Sequence, residues 1–124
     1  MAVATIDHAL LDPLILPIAR QPVEVCVMLY LGVQYRLAGL RHIRGARDGI
    51  ELSTRLFVAD ALAFDAHSAI MAHNHPSGDP RASADDLSVT RRLARAFEAV
   101  GVTLIDHIVL ASGGRTSLRA AGYL

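Results

Sequence analysis

Hydrophobic residues in this chain fall either into unbroken runs or into spaced stripes, and the two patterns predict different elements. EVCVMLYLG, residues 24–32, is a near-continuous apolar run with β-branched and aromatic members, ended by Gly32, as expected of a strand buried on both faces. QYRLAGLRHI, residues 34–43, follows a short turn with looser alternation and completes a hairpin. SAIMAHNH, residues 68–75, reads as a second buried strand, stopped by Pro76 and the turn Ser77, Gly78, Asp79, Pro80. VTLIDHIVLA (102–111) and RTSLRAAGYL (115–124) supply one or two more strands around the turn Ser112, Gly113, Gly114.

Between these runs the period lengthens. Ser53 or Thr54 caps a helix through about residue 66, in which Phe57, Ala61 and Phe64 have helical spacing with Leu56 beside them. From about 84 to 100, Val89, Leu93, Ala96, Phe97 and Val100 make an apolar stripe, Arg91, Arg95 and Glu98 share the opposite side, and Gly101 closes the helix. RGARDG, residues 44–49, is loop. The order of elements predicts an α/β fold with a mixed sheet flanked by helices, without internal repeats or low-complexity segments.

Composition narrows the class. At 124 residues the chain is one domain, and 52% hydrophobic residues, 19% charged residues and a formal net charge of zero argue against disorder or a polyanion-binding tail. Cys26 is the single cysteine, so the chain has no internal disulfide and no paired-cysteine metal knuckle, and a cytoplasmic location is expected. ALLDPLILPIA is broken by Asp12, Pro13 and Pro17, lacks a basic lead and is too short to span a bilayer, so no membrane role is expected. Residues 1–23 read as a turn-rich N-terminal arm packing on a domain of residues 24–124.

The chemistry concentrates in HNHPSGDPRASADD, residues 73–86. Alternation along a strand puts His73 and His75 on one face, roughly 7 Å apart at Cα, so that their imidazoles converge. The turn returns the chain to a helix with Asp86 in its first turn. Two histidines and a carboxylate make a three-ligand set for zinc that leaves a fourth position for water, as in catalytic rather than closed structural sites. The structural alternative is a capping box, Ser83 at the N-cap with Asp86 three residues on, which needs no metal. Ser83 suits either reading, whereas Asp86 is not expected to cap and ligate equally well.

Neighbouring motifs do not fit. The literal HNH triplet is unrelated to the dispersed residues of HNH nucleases. A metallo-β-lactamase signature needs Asp at 77 and His at 78, where this chain has Ser77 and Gly78. Cytidine-deaminase zinc sites need paired cysteines, and an amidohydrolase needs a large barrel.

HxHP, six residues, then SxxD resembles the JAMM (JAB/MPN) metalloprotease motif, and AHNHPSGDPRASADD is similar to its bacterial RadC-like branch. The similarity continues through TRRLARAFEAVGVTLIDHIVLASGGRTSLRAAGYL and spans roughly residues 24–124. It implies a single JAMM/MPN domain with a cytidine-deaminase-like sheet, one zinc per chain held by His73, His75 and Asp86, and Ser83 steadying an oxyanion. JAMM domains carry a glutamate at the entrance to an early apolar strand, and Glu24 occupies that position, with Glu51 the fallback. Glu24 would then take the proton of a zinc-bound water as it attacks a carbonyl and donate it to the leaving amine. The implied activity is hydrolysis of a peptide or isopeptide bond in a peptide or protein substrate.

The chain departs from the pattern of the family it resembles in two places. RadC-like proteins usually carry an N-terminal helix-hairpin-helix region suggestive of DNA work, and the first 23 residues are too few and too proline-interrupted to form one. The loop RGARDGIELSTRL lacks the His-Pro of many relatives, so substrate or partner contacts are expected to differ. A second reading is therefore a DNA-repair-associated or protein-binding module with a structural or vestigial metal site. Nucleic acid finds no support in the net charge, and Arg91, Arg92 and Arg95 read as a solvated face. A single-metal nuclease lacks the paired carboxylates of two-metal phosphodiesterases. Asp106 and His107 lie on an apolar strand with opposite orientations, and His107 reads as a hydrogen-bonded structural histidine outside the ligand set.

Overall fold

The computed structural model describes residues 8–44 and 53–124. Its centre is a five-stranded mixed sheet of β1 (Val25–Leu31), β2 (Leu37–Arg44), β3 (Ser68–Asn74), β4 (Thr103–Ala111) and β5 (Gly114–Ser117), in the order β2-β1-β3-β4-β5. β1 pairs antiparallel with both β2 and β3, β3 runs parallel to β4, and β5 returns antiparallel on β4. Every residue of β1 and β3 is buried, as their continuous apolar runs require of central strands covered on both faces.

Helices cover the two faces. α1 (His8–Ile15) lies on one, where Leu11, Ile15 and the following Ile18 join Val25, Val27, Leu29 and Ile70 in one apolar cluster. α2 (Thr54–Ala63) and α3 (Ala84–Ala99) cover the other, packing Phe57, Ala61, Leu93 and Phe97 on Cys26, Met28, Tyr30 and Met71. Complete burial of each large side chain contributes roughly 1.5–3 kcal/mol. Ser53 caps α2 by accepting from the Leu56 N–H at 3.1 Å, and Gly101 follows α3 at φ +78°, a conformation that glycine adopts without strain. α3 is the crossover that parallel strands need, and it brings its own first turn back to the end of β3. No helix among the described residues is long and apolar enough to cross a membrane.

Three local expectations change. The segment read as turn-rich contains α1, with Pro13 inside it, because Leu11, Ile15 and Ile18 recur at helical spacing and are buried. α2 ends at Ala63 rather than about 66, and Phe64 lies over Gly39 and against Tyr30, with ring centroids 5.4 Å apart. Val100 is 36% exposed beyond the last turn of α3, while Thr90, absent from the expected stripe, is 1% exposed. Of the loop expected at 44–49, the residues after Arg44 lie outside the described residues, as does the fallback acid Glu51.

Candidate metal centre

The C-terminal end of β3 carries the polar cluster. β3 places His73 on the face covered by α2 and α3, and His75 follows one residue past the strand, its backbone N–H donating to the Leu110 carbonyl at 2.8 Å. The two Nε2 atoms stand 2.9 Å apart, with the rings edge-to-face. Asp86, in the first turn of α3, puts Oδ1 3.2 Å from Nε2 of His73 and Oδ2 3.1 Å from Nε2 of His75. Glu24, one residue before β1, brings Oε1 to 3.8 Å from Nε2 of His73, and ligand atoms of Glu24, His73 and His75 lie within 4.8 Å of one another. The structure thus gathers Glu24, His73, His75 and Asp86, and Asp86 is the carboxylate nearer to both imidazoles.

The capping box is present in full. Ser83 Oγ accepts from the Asp86 N–H at 3.0 Å, and Asp86 Oδ2 accepts from the Ser83 N–H at 2.8 Å. One carboxylate therefore caps the helix and also faces both imidazoles. Oδ1 is left over, and Oδ2 has more than one lone pair to share. Burial alone would raise the Asp86 carboxyl; the adjacent His73 and the Ser83 N–H outweigh it and hold the group well below the usual carboxylate range.

The remaining ring nitrogens are also engaged. Nδ1 of His75 donates to the Asp79 carbonyl at 2.9 Å, and Nδ1 of His73 stands 2.6 Å from Nε2 of His107. His107, buried between β4 and α3, has its own Nδ1 2.6 Å from Thr90 Oγ1. Burial first, then the neighbouring His73, lowers the His107 pKa to about 3, so the ring is neutral. The loop carrying Asp79 is braced from the β4–β5 turn: the Gly113 N–H donates to the Gly78 carbonyl at 3.1 Å and Thr116 Oγ1 to the Pro80 carbonyl at 2.6 Å. A Cβ on Gly113 would come within 2.6 Å of that Gly78 oxygen.

The donor set itself tests whether a metal fits. Both Nε2 atoms and the Asp86 oxygens converge at 2.9–3.2 Å, each histidine's other nitrogen being occupied elsewhere. Groups at such distances need a hydrogen or a cation between them, and with both Nδ1 atoms engaged elsewhere each Nε2 can offer its lone pair to a metal. Two neutral imidazoles and one carboxylate are a ligand set that suits zinc.

Asn74 escaped the sequence reading. It points to the opposite face from its flanking histidines; its Oδ1 accepts from the Val25 N–H at 2.5 Å, and its Nδ2 donates to the carbonyls of Gln21 at 3.2 Å and Val23 at 2.9 Å. These bonds hold the backbone on both sides of Glu24. Thr90 likewise falls outside a stripe defined by apolarity alone, although it is buried and its hydroxyl faces His107. Cys26, opposite His73 in the β1–β3 register, is no nucleophile: burial and then the nearby Glu24 push its thiol up to about 12.

A parallel β3–β4 pair joined by α3, with His-x-His at the strand end facing an aspartate in that helix, defines a single-domain α/β protein of the JAB/MPN class. The model of the RadC-like JAB domain matches residues 5–123, and the chain belongs to that family. The UPF0758 protein BAV2405 of Bordetella avium is 38% identical over 108 residues, 86% of this chain and 48% of that protein. A UPF0758 protein of Rhodobacter capsulatus is 39% identical over 118 residues, 94% of this chain and 55% of the relative. The chain spans about half the length of these curated relatives. JAB domains include metalloproteases and often bind zinc.

Proposed function

We propose that the chain is a zinc-dependent hydrolase of peptide or isopeptide bonds, with His73, His75 and Asp86 holding one metal and Glu24 acting as the general base. The observation that carries this reading is the convergence of two Nε2 atoms and the Asp86 carboxylate, with a second carboxylate 3.8 Å from one of those nitrogens. Zinc bound there supplies Lewis acidity and makes a coordinated water more acidic. Glu24, whose side chain is 28% exposed, borders the cluster from the strand start, where it can take the attacking water's proton and return it to the leaving nitrogen. The Ser83 hydroxyl accepts from the Asp86 N–H, which leaves its own proton to donate to a carbonyl oxygen gaining negative charge. His73, His75 and Asp86 remain fixed while these protons move.

The test begins with metal content per chain for the unmodified protein, Asp86→Ala and Glu24→Gln, purified without chelator or histidine tag. About one zinc is expected in the unmodified protein and in Glu24→Gln, and none in Asp86→Ala. Against a peptide library with an isopeptide-linked panel, Glu24→Gln is expected to lose roughly 10²–10⁴-fold in kcat with its metal retained. A metal-loaded Glu24→Gln protein with full activity would remove Glu24 from its role. A protein that takes up no zinc when zinc is added back would overturn the metallohydrolase reading.

A further inference from the structure

We infer that Thr90 and His107 set the tautomer of His73, acting as positioning residues that keep its Nε2 lone pair open to a metal. This rests on the metal reading above, and it assigns a purpose to two buried polar residues that the proposed mechanism does not use.

Proton counting leads to it. Thr90 lies four residues after Asp86 on α3, and its hydroxyl, which has a single proton, stands 2.6 Å from the Asp86 backbone carbonyl. A carbonyl only accepts, so that proton is committed. Nδ1 of His107 lies at the same distance, 2.6 Å, from the same Oγ1 and must therefore bring its own hydrogen. His107 is 1% exposed, and its ring nitrogens face a hydroxyl and an imidazole rather than a carboxylate. An imidazolium there would be a buried charge without a counter-ion, so the ring is neutral and carries one hydrogen. With that hydrogen on Nδ1, Nε2 of His107 is bare and accepts. The atom 2.6 Å away is Nδ1 of His73, which must donate. His73 in the neutral form that metal binding requires is then left with a bare Nε2, aimed at Nε2 of His75 and Oδ1 of Asp86.

The order of protons is thus read from one end to the other: Thr90 to the Asp86 carbonyl, His107 to Thr90, His73 to His107. A free histidine side chain in water favours the other tautomer, with the hydrogen on Nε2, and in this cluster that hydrogen would occupy the space a metal needs. The bond made by one ring nitrogen decides what the other can do. His75 reaches the same state by a shorter route, donating from Nδ1 to the Asp79 carbonyl. One histidine is therefore set by backbone and the other by side chains, and only the second can be cut by a single isosteric substitution.

The deciding measurement is the tautomer of His73 in metal-free, uniformly ¹⁵N-labelled protein at pH 8, read from long-range ¹H–¹⁵N correlations of the imidazole nitrogens. The unmodified protein is expected to show a protonated Nδ1 and a bare Nε2. Thr90→Val is expected to shift His73 toward protonated Nε2, and Thr90→Ser to retain the original state. Zinc affinity, from competition with a chromophoric chelator, is expected to fall roughly 10–100-fold in Thr90→Val and His107→Phe and to stay near the unmodified value in Thr90→Ser. Amide fingerprint spectra would identify any variant that fails to fold, and the tautomer of the unmodified protein needs no variant. A bare Nδ1 with a protonated Nε2 on His73 in that protein, or folded Thr90→Val and His107→Phe proteins with unchanged zinc affinity, would overturn the inference. If the unmodified protein binds no zinc, the metal reading fails separately while the tautomer still decides the relay.

Discussion

Asn74 separates two residues that point into the cluster, and its amide works on the other side of the sheet. The pairing of His73 with His75 was legible because a strand has period two, but the residue between them is unconstrained by that pattern. Its partners Val25 and Val23 lie 49 and 51 positions earlier, a distance over which no local rule operates. Asn74→Ala removes the acceptor of the Val25 N–H and the donor to two carbonyls, in a position with no exposure. Leaving such groups unpaired costs about 1–3 kcal/mol each where water cannot replace the partner. The variant should therefore unfold at lower urea concentration. It should also retain metal binding, because the His73 and His75 side chains lie on the opposite face of the strand and the Asn74 amide bonds none of the ligand side chains, while kcat falls as Glu24 loses its anchored position. Metal content and kcat measured on the same preparation separate these effects.

Among the elements, the sheet was more legible than its helical cover. Buried strands announce themselves by unbroken apolar runs, whereas α1 combines an apolar stripe with Pro13 and a following Pro17, and prolines weigh against a helix. The burial of Leu11, Ile15 and Ile18 reverses that weighting. The edge strand β2 shows a second kind of tie that sequence spacing conceals. Arg41 donates twice to Asp60 of α2, at 2.8 and 2.7 Å, and the Tyr30 hydroxyl donates to the same carboxylate at 3.1 Å. The Arg41 hydrogen bonds lower the Asp60 pKa, outweighing burial. A carboxyl depressed in the folded state contributes stability above its unfolded pKa of about 3.9, and the contribution is lost as pH falls through the folded value. Asp60→Asn should be less stable than the unmodified protein at neutral pH, by a margin that narrows below about pH 4. Urea unfolding of both proteins across that range measures the margin, and a constant difference down to pH 2 would rule out the ion pair as its source.

For the whole molecule, the cluster exists only because three distant pieces of backbone end together: the start of β1, the end of β3 and the first turn of α3. The histidines and the aspartate could be read as a set from HxHP and SxxD, since the turn between them is short. Glu24 could be placed only through resemblance to a family. An unfolded chain offers a metal no such convergence, so binding free energy becomes folding free energy. The same convergence leaves the Asp86 carboxylate and two imidazole nitrogens 2.9–3.2 Å apart at this end of the sheet, where a bound cation would tie the end of β3 to α3. Free zinc at 100 times its Kd should stabilise the native state by about 2.7 kcal/mol. For a domain of this size that corresponds to a rise in Tm of roughly 10 °C. The rise should depend on zinc concentration, reverse with a chelator and vanish in Asp86→Ala. It should persist in Glu24→Gln, because the proposed base lies outside the ligand set, and loss of the zinc shift in Glu24→Gln would instead make Glu24 a ligand.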